Sequence, residues 1–296
     1  MLTSITKRSY AKINLFLDVH GKIEHGYHEI TTLFSEINLY DTITFHLTSN
    51  SDILIMSDVE NLLGQNNLIY KVGIYIQSRY SVQRGALVEL KKNIPIAAGL
   101  GGGSSNAAAS INAFSDLWEL NLSKEEKHEI ARQFGSDINF FLEGYQAIGT
   151  GRGDVITPLE EITFIDNILL VNPNFAISAK EAYEAWSELQ MTVTDDREFN
   201  SQHTTHNTQH LTINYQLSTI NFFNALEPGI SKKYPIIKEI IDKLHDMGAK
   251  KAMLSGSGPT IIAFYETKNE CKKAQKYFLG QGFWTCITST KRRIGK

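Results

Sequence analysis

Near the start of the chain, Ile13, Leu15, Leu17 and Val19 interleave with Lys12, Asn14, Phe16 and Asp18. A period of two belongs to a strand, so Lys12 and Asn14 share one face of it. Ile43, Phe45 and Leu47 repeat the pattern after a Tyr40-Asp41 turn. The spacing then lengthens: Leu68, Ile69, Val72, Tyr75 and Ile76 predict a helix over residues 66–79. A strand at Leu87–Leu90 leads into a glycine-rich segment, and Ala107, Ala108, Ile111, Phe114, Leu117 and Trp118 mark the helix beyond it. Ser123-Lys-Glu-Glu126 reads as a capping box that opens another helix through Phe134, ended by Gly135. Further helices are expected at Lys180–Leu189 and Lys232–Asp246. Strands are expected at Ile168–Val171, Thr260–Tyr265 and Phe283–Ile287.

Strands and helices mixed in this way predict an α+β protein of two lobes. The expected division follows the turn Gly149-Thr-Gly-Arg-Gly153, giving an N-terminal lobe over residues 1–155 and a C-terminal lobe over 156–296. No internal repeat is evident. The stretch Met191–Gln216 is polar and reads as a surface excursion. It carries His203, His206 and His210, but no Cys or carboxylate joins them at metal-ligand spacing, which favours a solvated loop.

Composition narrows the function classes. The 296 residues, 42% hydrophobic and 21% charged, suffice for a core with a cleft. A net charge of −3 and a pI near 6.3 argue against a nucleic-acid or membrane-surface binder. Two cysteines, Cys271 and Cys286, are too few for a disulfide framework and are expected to be reduced thiols. No run approaches the ~20 apolar residues of a membrane helix. Met1–Arg8 holds no apolar signal core, so a cytoplasmic protein is expected.

The chemistry concentrates in Pro95-Ile96-Ala97-Ala98-Gly99-Leu100-Gly101-Gly102-Gly103-Ser104-Ser105-Asn106. Consecutive glycines free the backbone for positive φ and let its N–H groups approach a ligand closely. With Ser104, Ser105 or Asn106 as a cap, the following helix would point its positive end at an anion. The serine hydroxyls add donors for phosphate or a ligand for Mg²⁺. A glycine run by itself is equally compatible with tight packing. Here strand, proline, glycines, paired serines and alanine-rich helix come in order, which favours phosphate. The Gly-Lys-Ser/Thr of a Walker loop and the dinucleotide fingerprint are both absent.

This segment resembles the phosphate loop of the GHMP kinases (galactokinase, homoserine kinase, mevalonate kinase and relatives). Ala11-Lys12-Ile-Asn14-Leu15 resembles the family's N-terminal strand, and Leu254-Ser-Gly-Ser-Gly-Pro259 its C-terminal glycine motif. Gly26-Tyr27-His28, Thr32-Leu33-Phe34 and Gly135-Ser-Asp137-Ile-Asn-Phe-Phe141 are similar to the branch whose acceptor is cytidine diphosphate methylerythritol. The resemblance spans almost the whole chain and is weakest across Met191–Gln216. It implies two lobes around a deep cleft, and ATP, accompanied by Mg²⁺, as donor to the 2-hydroxyl of that acceptor in the non-mevalonate isoprenoid route.

It also implies roles. Asp137 matches the catalytic aspartate: a carboxylate beside the acceptor hydroxyl can take its proton, although an aspartate after Gly135 also suits a helix cap. Lys12 matches the catalytic lysine, whose ammonium would offset charge on the moving phosphoryl group. A lone strand lysine is more often solvated, and Asn14 on the same face tips the reading toward a site. Tyr27, His28 and Phe34 match residues that recognise the cytosine, with Tyr183 as the other aromatic of the stack; His28 also suits a satisfied core histidine. Asn67 and Lys92 match positions near the adenosine. Ser255, Gly256, Ser257 and Gly258 match a second glycine turn facing the cleft, otherwise a plain tight turn. No dedicated metal cage is implied; Mg²⁺ would come with ATP, with Ser105 as a donor.

Two departures concern the acceptor side: Ala179 stands where threonine is common, and Asn224-Ala225-Leu226-Glu227 replaces the commoner Asn-Asp-Leu-Glu. Homoserine or mevalonate kinase, diphosphomevalonate decarboxylase and a non-catalytic nucleotide-binding or RNA-binding protein are the rivals. Tyr27, His28 and Phe34 speak against the first two kinases, Lys12 and Asp137 against a non-catalytic protein, and the acidic balance against RNA.

Overall fold

The computed structural model describes residues 2–23, 26–195 and 222–292. Its strands are β1 (Ser4–Lys22), β2 (His28–Thr48), β3 (Ile53–Ser57), β4 (Gly85–Lys91), β5 (Gln146–Thr150) and β6 (Val155–Pro158), then β7 (Ile168–Asn172), β8 (Phe223–Asn224), β9 (Lys251–Leu254), β10 (Ile261–Phe264) and β11 (Trp284–Thr288). The helices are α1 (Leu68–Tyr80), α2 (Gly102–Leu117), α3 (Lys124–Arg132), α4 (Ile138–Glu143), α5 (Ala179–Asp195), α6 (Glu227–Lys233), α7 (Pro235–Asp246) and α8 (Lys268–Gly280).

One sheet runs β3-β4-β2-β1-β8, with β5 on β2 and β6 on β5; the other runs β11-β7-β10-β9. The long β1–β2 pair is antiparallel, and its register shifts between Asn14 and Phe16. Such an irregularity re-aims side chains beside it. It lies next to the two polar residues singled out above.

Apolar faces explain how the layers meet. Ile69, Val72 and Ile76 of α1 and Ile111, Phe114 and Leu117 of α2 bury against Ile43, Phe45 and Val88. A second cluster joins Leu17, Val19 and Ile30 to Val171, Ile237, Ile240, Leu244 and Phe278. A third joins Ile13, Leu15, Ile37 and Leu100 to Leu170, Met253 and Ile262. The two sheets are therefore joined through common cores rather than a linker, and β8 crosses back to pair with β1 at Phe16 and Leu17. That arrangement fixes both sides of a cleft.

Several local expectations change. The helix expected over Lys232–Asp246 is two helices, because Pro235 has no N–H to donate and holds Tyr234 at φ −125°, ψ 84°. The first half of β2 carries no alternation in sequence because both of its faces are covered: every residue from Ile30 to Ile37 is buried. The expected surface excursion begins as helix, with Met191 still in α5. Its remainder from residue 196, with His203, His206 and His210, lies outside the described residues. Cys271 and Cys286 form no disulfide. No described helix is long and apolar enough to cross a membrane.

Candidate active site

The glycine-rich loop is shaped by backbone rather than by a side-chain cap. Ala97, Gly99 and Gly101 have φ of 51°, 75° and 68°, and the residues between them do not. Alternating hand of this kind turns successive N–H groups toward one side, a concavity suited to an anion. At Gly99 a Cβ would stand 2.3 Å from the Ser255 carbonyl oxygen, so only glycine fits there. Helix α2 begins at Gly102 with Gly101 as N-cap and no side-chain cap hydrogen bond. Ser104, Ser105 and Asn106, expected as candidate caps, lie inside the helix instead. Its first N–H groups therefore remain for a ligand.

Beside the loop lies a buried polar cluster. Lys12 is only 5% exposed, and its backbone N–H bonds to the Leu100 carbonyl at 2.9 Å, tying β1 to the loop. Its Nζ donates to Asn14 Oδ1 at 2.7 Å and lies 3.6 Å from Asp137 Oδ2. Asn14 Nδ2 donates to Thr32 Oγ1 at 2.7 Å, whose own proton goes to the Phe16 carbonyl. This chain of bonds fixes the amide so that its oxygen faces the ammonium. Asp137 is the N-cap position of α4, yet its side chain makes no cap bond. The carboxylate is spare for chemistry.

A cavity of about 980 Å³ is bordered by Lys12, Asn14, Asp137 and Ser104, and by Gly256 and Ser257 of the second glycine turn. Tyr27, His28, Phe34 and Tyr183 border the same cavity, with Lys12 Nζ 5.4 Å from the Phe34 ring centre. Tyr27 is half exposed, and the Arg152 guanidinium lies 4.8 Å from its ring centre. The His28 imidazole stacks on Tyr183 at 4.9 Å and 13°, while its Nε2 is 3.2 Å from Ser187 Oγ. Burial first, and Lys22 second, push the His28 pKa below the ordinary value, favouring the neutral ring. Burial and the nearby Asp137 push the Tyr183 phenol up. Phe34 is 1% exposed and packs on Phe140. It presents an apolar wall rather than an open stacking face.

The remaining candidates support the site from outside the cavity. Asn67 caps α1, accepting from Ile69 N–H and donating to the Leu62 carbonyl. Lys92 donates to Asp41 at 2.6 Å; burial lowers its pKa and Asp41 partly opposes that. Asp41, wholly buried, also accepts from Asn93 N–H, Ile94 N–H and Asn106 Nδ2. Ser9 donates to Ser105 Oγ at 2.6 Å. Asp41 and Ser9 thus secure both ends of the loop from beneath. Of the loop, Ser104 borders the cavity, and Pro95–Gly103, Ser105 and Asn106 do not.

Some cavity residues carry no motif in the sequence. Arg152, Lys22 and Lys180 bring positive charge to it, and Glu184 and Glu188 bring negative charge, with Glu184 3.8 Å from Lys180. Arg152 Nη2 is held by Asp154 at 3.0 Å. The Thr-Gly-Arg-Gly stretch reads as a turn, and a single arginine between glycines is its one hint of a ligand-facing role. Among the described residues no group of three or more His, Cys, Asp and Glu could hold a metal ion.

Comparison with known proteins gives the family. The GHMP kinases N terminal domain matches residues 67–145, and GHMP kinases C terminal matches 209–281. The 4-diphosphocytidyl-2-C-methyl-D-erythritol kinase of Thermoanaerobacter pseudethanolicus is 41% identical over 92% of this chain and 91% of its own. The protein of that name from Thermodesulfovibrio yellowstonii is 39% identical, covering 97% and 98%. A crystal structure of 4-(cytidine 5'-diphospho)-2C-methyl-D-erythritol kinase superposes with a TM-score of 0.77 at 25% identity, over 97% of this chain and 100% of that one. The mevalonate kinase of L. major shares the fold at 14% identity, with a TM-score of 0.65 over 99% of this chain and 98% of its own.

Proposed function

The chain belongs to the 4-diphosphocytidyl-2-C-methyl-D-erythritol kinases, within the GHMP kinases, and we propose that Lys12 and Asp137 carry its phosphoryl transfer from ATP to the acceptor's 2-hydroxyl. The observation that carries this reading is the Lys12–Asp137 pair at 3.6 Å in one cavity with Tyr27, His28 and Tyr183. Chemistry and base recognition share one space.

In this mechanism the Asp137 carboxylate accepts the proton of the acceptor hydroxyl as its oxygen bonds to the γ-phosphorus. The bond from that phosphorus to the bridging oxygen breaks, and ADP leaves with the electron pair. Lys12, held by its bond to Asn14, offsets the negative charge that shifts during transfer. The N–H groups of the loop hold the phosphates. Preformed dipoles of this kind need no reorganisation during the reaction.

The aromatic lining of the same cavity supplies specificity. Tyr27 and Tyr183 offer aromatic faces, and the neutral His28 offers a ring nitrogen to the edge of a cytosine. Arg152 and Lys22 suit the diphosphate between base and methylerythritol. Magnesium enters with ATP and, when bound, neutralises charge on the phosphates. An ion that keeps mostly phosphate and water ligands fits a site where, among the described residues, no three His, Cys, Asp or Glu gather to hold a metal. Ser104, which borders the cavity, is the oxygen that would reach it, with the Ser105 oxygen behind it taking the proton of Ser9.

ADP release tests the assignment. It should depend on the cytidine diphosphate acceptor and be absent with mevalonate or homoserine; no release with any of them would sink the kinase reading. Tyr27→Ala should chiefly raise the acceptor KM, by about 5- to 150-fold if a stacking contact of ~1–3 kcal/mol is lost. An unchanged KM would remove Tyr27 from base recognition.

A further inference from the structure

Asn224 borders no part of the cavity, yet its side chain is 4% exposed and almost wholly engaged. Its Nδ2 donates to the Leu254 and Gly256 carbonyls, both at 2.8 Å, and its Oδ1 accepts from Leu226 N–H at 3.0 Å. Glu227 adds a parallel tie, its Oε2 accepting from Leu254 N–H at 2.7 Å. Two side chains of one short segment thus grip the strand end and the turn that follows it. The segment is itself anchored: β8 pairs with β1 at Phe16 and Leu17, and Ala225 N–H bonds to the Leu17 carbonyl at 2.9 Å.

The turn that Asn224 grips is pressed against the reacting groups. A Cβ at Gly256 would stand 3.0 Å from Asn14 Oδ1 and 3.2 Å from Lys12 Nζ. On its other side the same turn meets the phosphate loop, where the Ser255 carbonyl blocks any side chain at Gly99. We propose that Asn224 is a positioning residue for phosphoryl transfer, holding the Leu254–Gly258 turn so that Lys12 Nζ, against which Gly256 packs, keeps its placement. Removing its amide strips two buried carbonyls of a donor, and the turn moves to recover one. A displacement of about 1 Å near reacting groups is enough to cost ~10²-fold in rate.

The inference rests on the kinase reading, which turnover by the unaltered chain decides separately. Its own test is a double-mutant cycle between Asn224→Ala and Lys12→Met, read as kcat with the cytidine diphosphate acceptor and paired with thermal melts. Acting through Lys12, Asn224→Ala should lower kcat about 10- to 100-fold in the unaltered chain. In the Lys12→Met chain it should lower kcat by no more than about two-fold. Equal fold losses in both backgrounds would overturn the proposal, because a purely structural defect scales both alike. An unchanged kcat with a lowered melting temperature would also overturn it. If the alanine variant does not fold, Asn224→Asp serves in the same cycle: it keeps the acceptor for Leu226 and loses both donated bonds.

Discussion

Asp137→Ala is expected to lower kcat at least ~10²-fold while ATP binding is retained, the loss usual for a removed general base. The carboxylate is about one third exposed, faces the cavity and lies 3.6 Å from Lys12 Nζ. It makes no cap bond to α4, so its removal leaves that helix start as it was. The effect should therefore fall on turnover and leave the fold intact. The cleanest comparison is Asp137→Asn, which keeps the shape but cannot take a proton at neutral pH. Steady-state ADP release gives kcat, and calorimetric titration with ATP gives the nucleotide affinity. If the carboxylate acts only as the base, kcat falls in both variants and the acceptor KM changes little. Near-normal turnover in either variant would remove Asp137 from the mechanism.

How much of this is legible in the sequence depends on whether a signal is local. The period of two around Lys12 and Asn14 marks both the strand and the shared face. It does not reveal that this face is buried, because the phosphate loop at Gly101 and the second glycine turn at Gly256, distant along the chain, pack against it. The phosphate loop is legible as a motif, yet its details are not: an alternating series of positive φ at Ala97, Gly99 and Gly101 replaces the expected serine cap. Asp41 reads in sequence as a turn residue. A wholly buried carboxylate needs several donors, and these come from Lys92, Asn106 and two backbone N–H groups far along the chain. Helix α8 opens with a capping box, Thr267 with Glu270, but its charged surface obscures the apolar stripe of Cys271, Ala274 and Phe278. The pairing of Asn224 with the turn at Gly256 has no local signal at all.

Lys12→Met should lower kcat by about 10²- to 10³-fold, the range seen when one preorganised electrostatic contact to a transition state is removed. Methionine keeps most of the stem that packs by Gly101, where a Cβ would stand 2.9 Å from Lys12 Cγ. What it removes is the ammonium, 2.7 Å from Asn14 Oδ1. Burying a charge is costly without partners, and Asp137 is open enough to be rehydrated once the ammonium has gone. The melting temperature should accordingly change little while turnover collapses, which separates catalysis from folding. Lys12→Arg supplies the complementary test. It preserves the charge, but the planar guanidinium is larger and the space is closed by Asn14, Gly256 and the Phe141 ring beside Gly101. If position rather than charge alone drives transfer, arginine should also fail to restore kcat to within about tenfold of the unaltered chain. Full activity in the arginine variant would show that placement is dispensable, and a loss under about tenfold in the methionine variant would remove Lys12 from the chemical step.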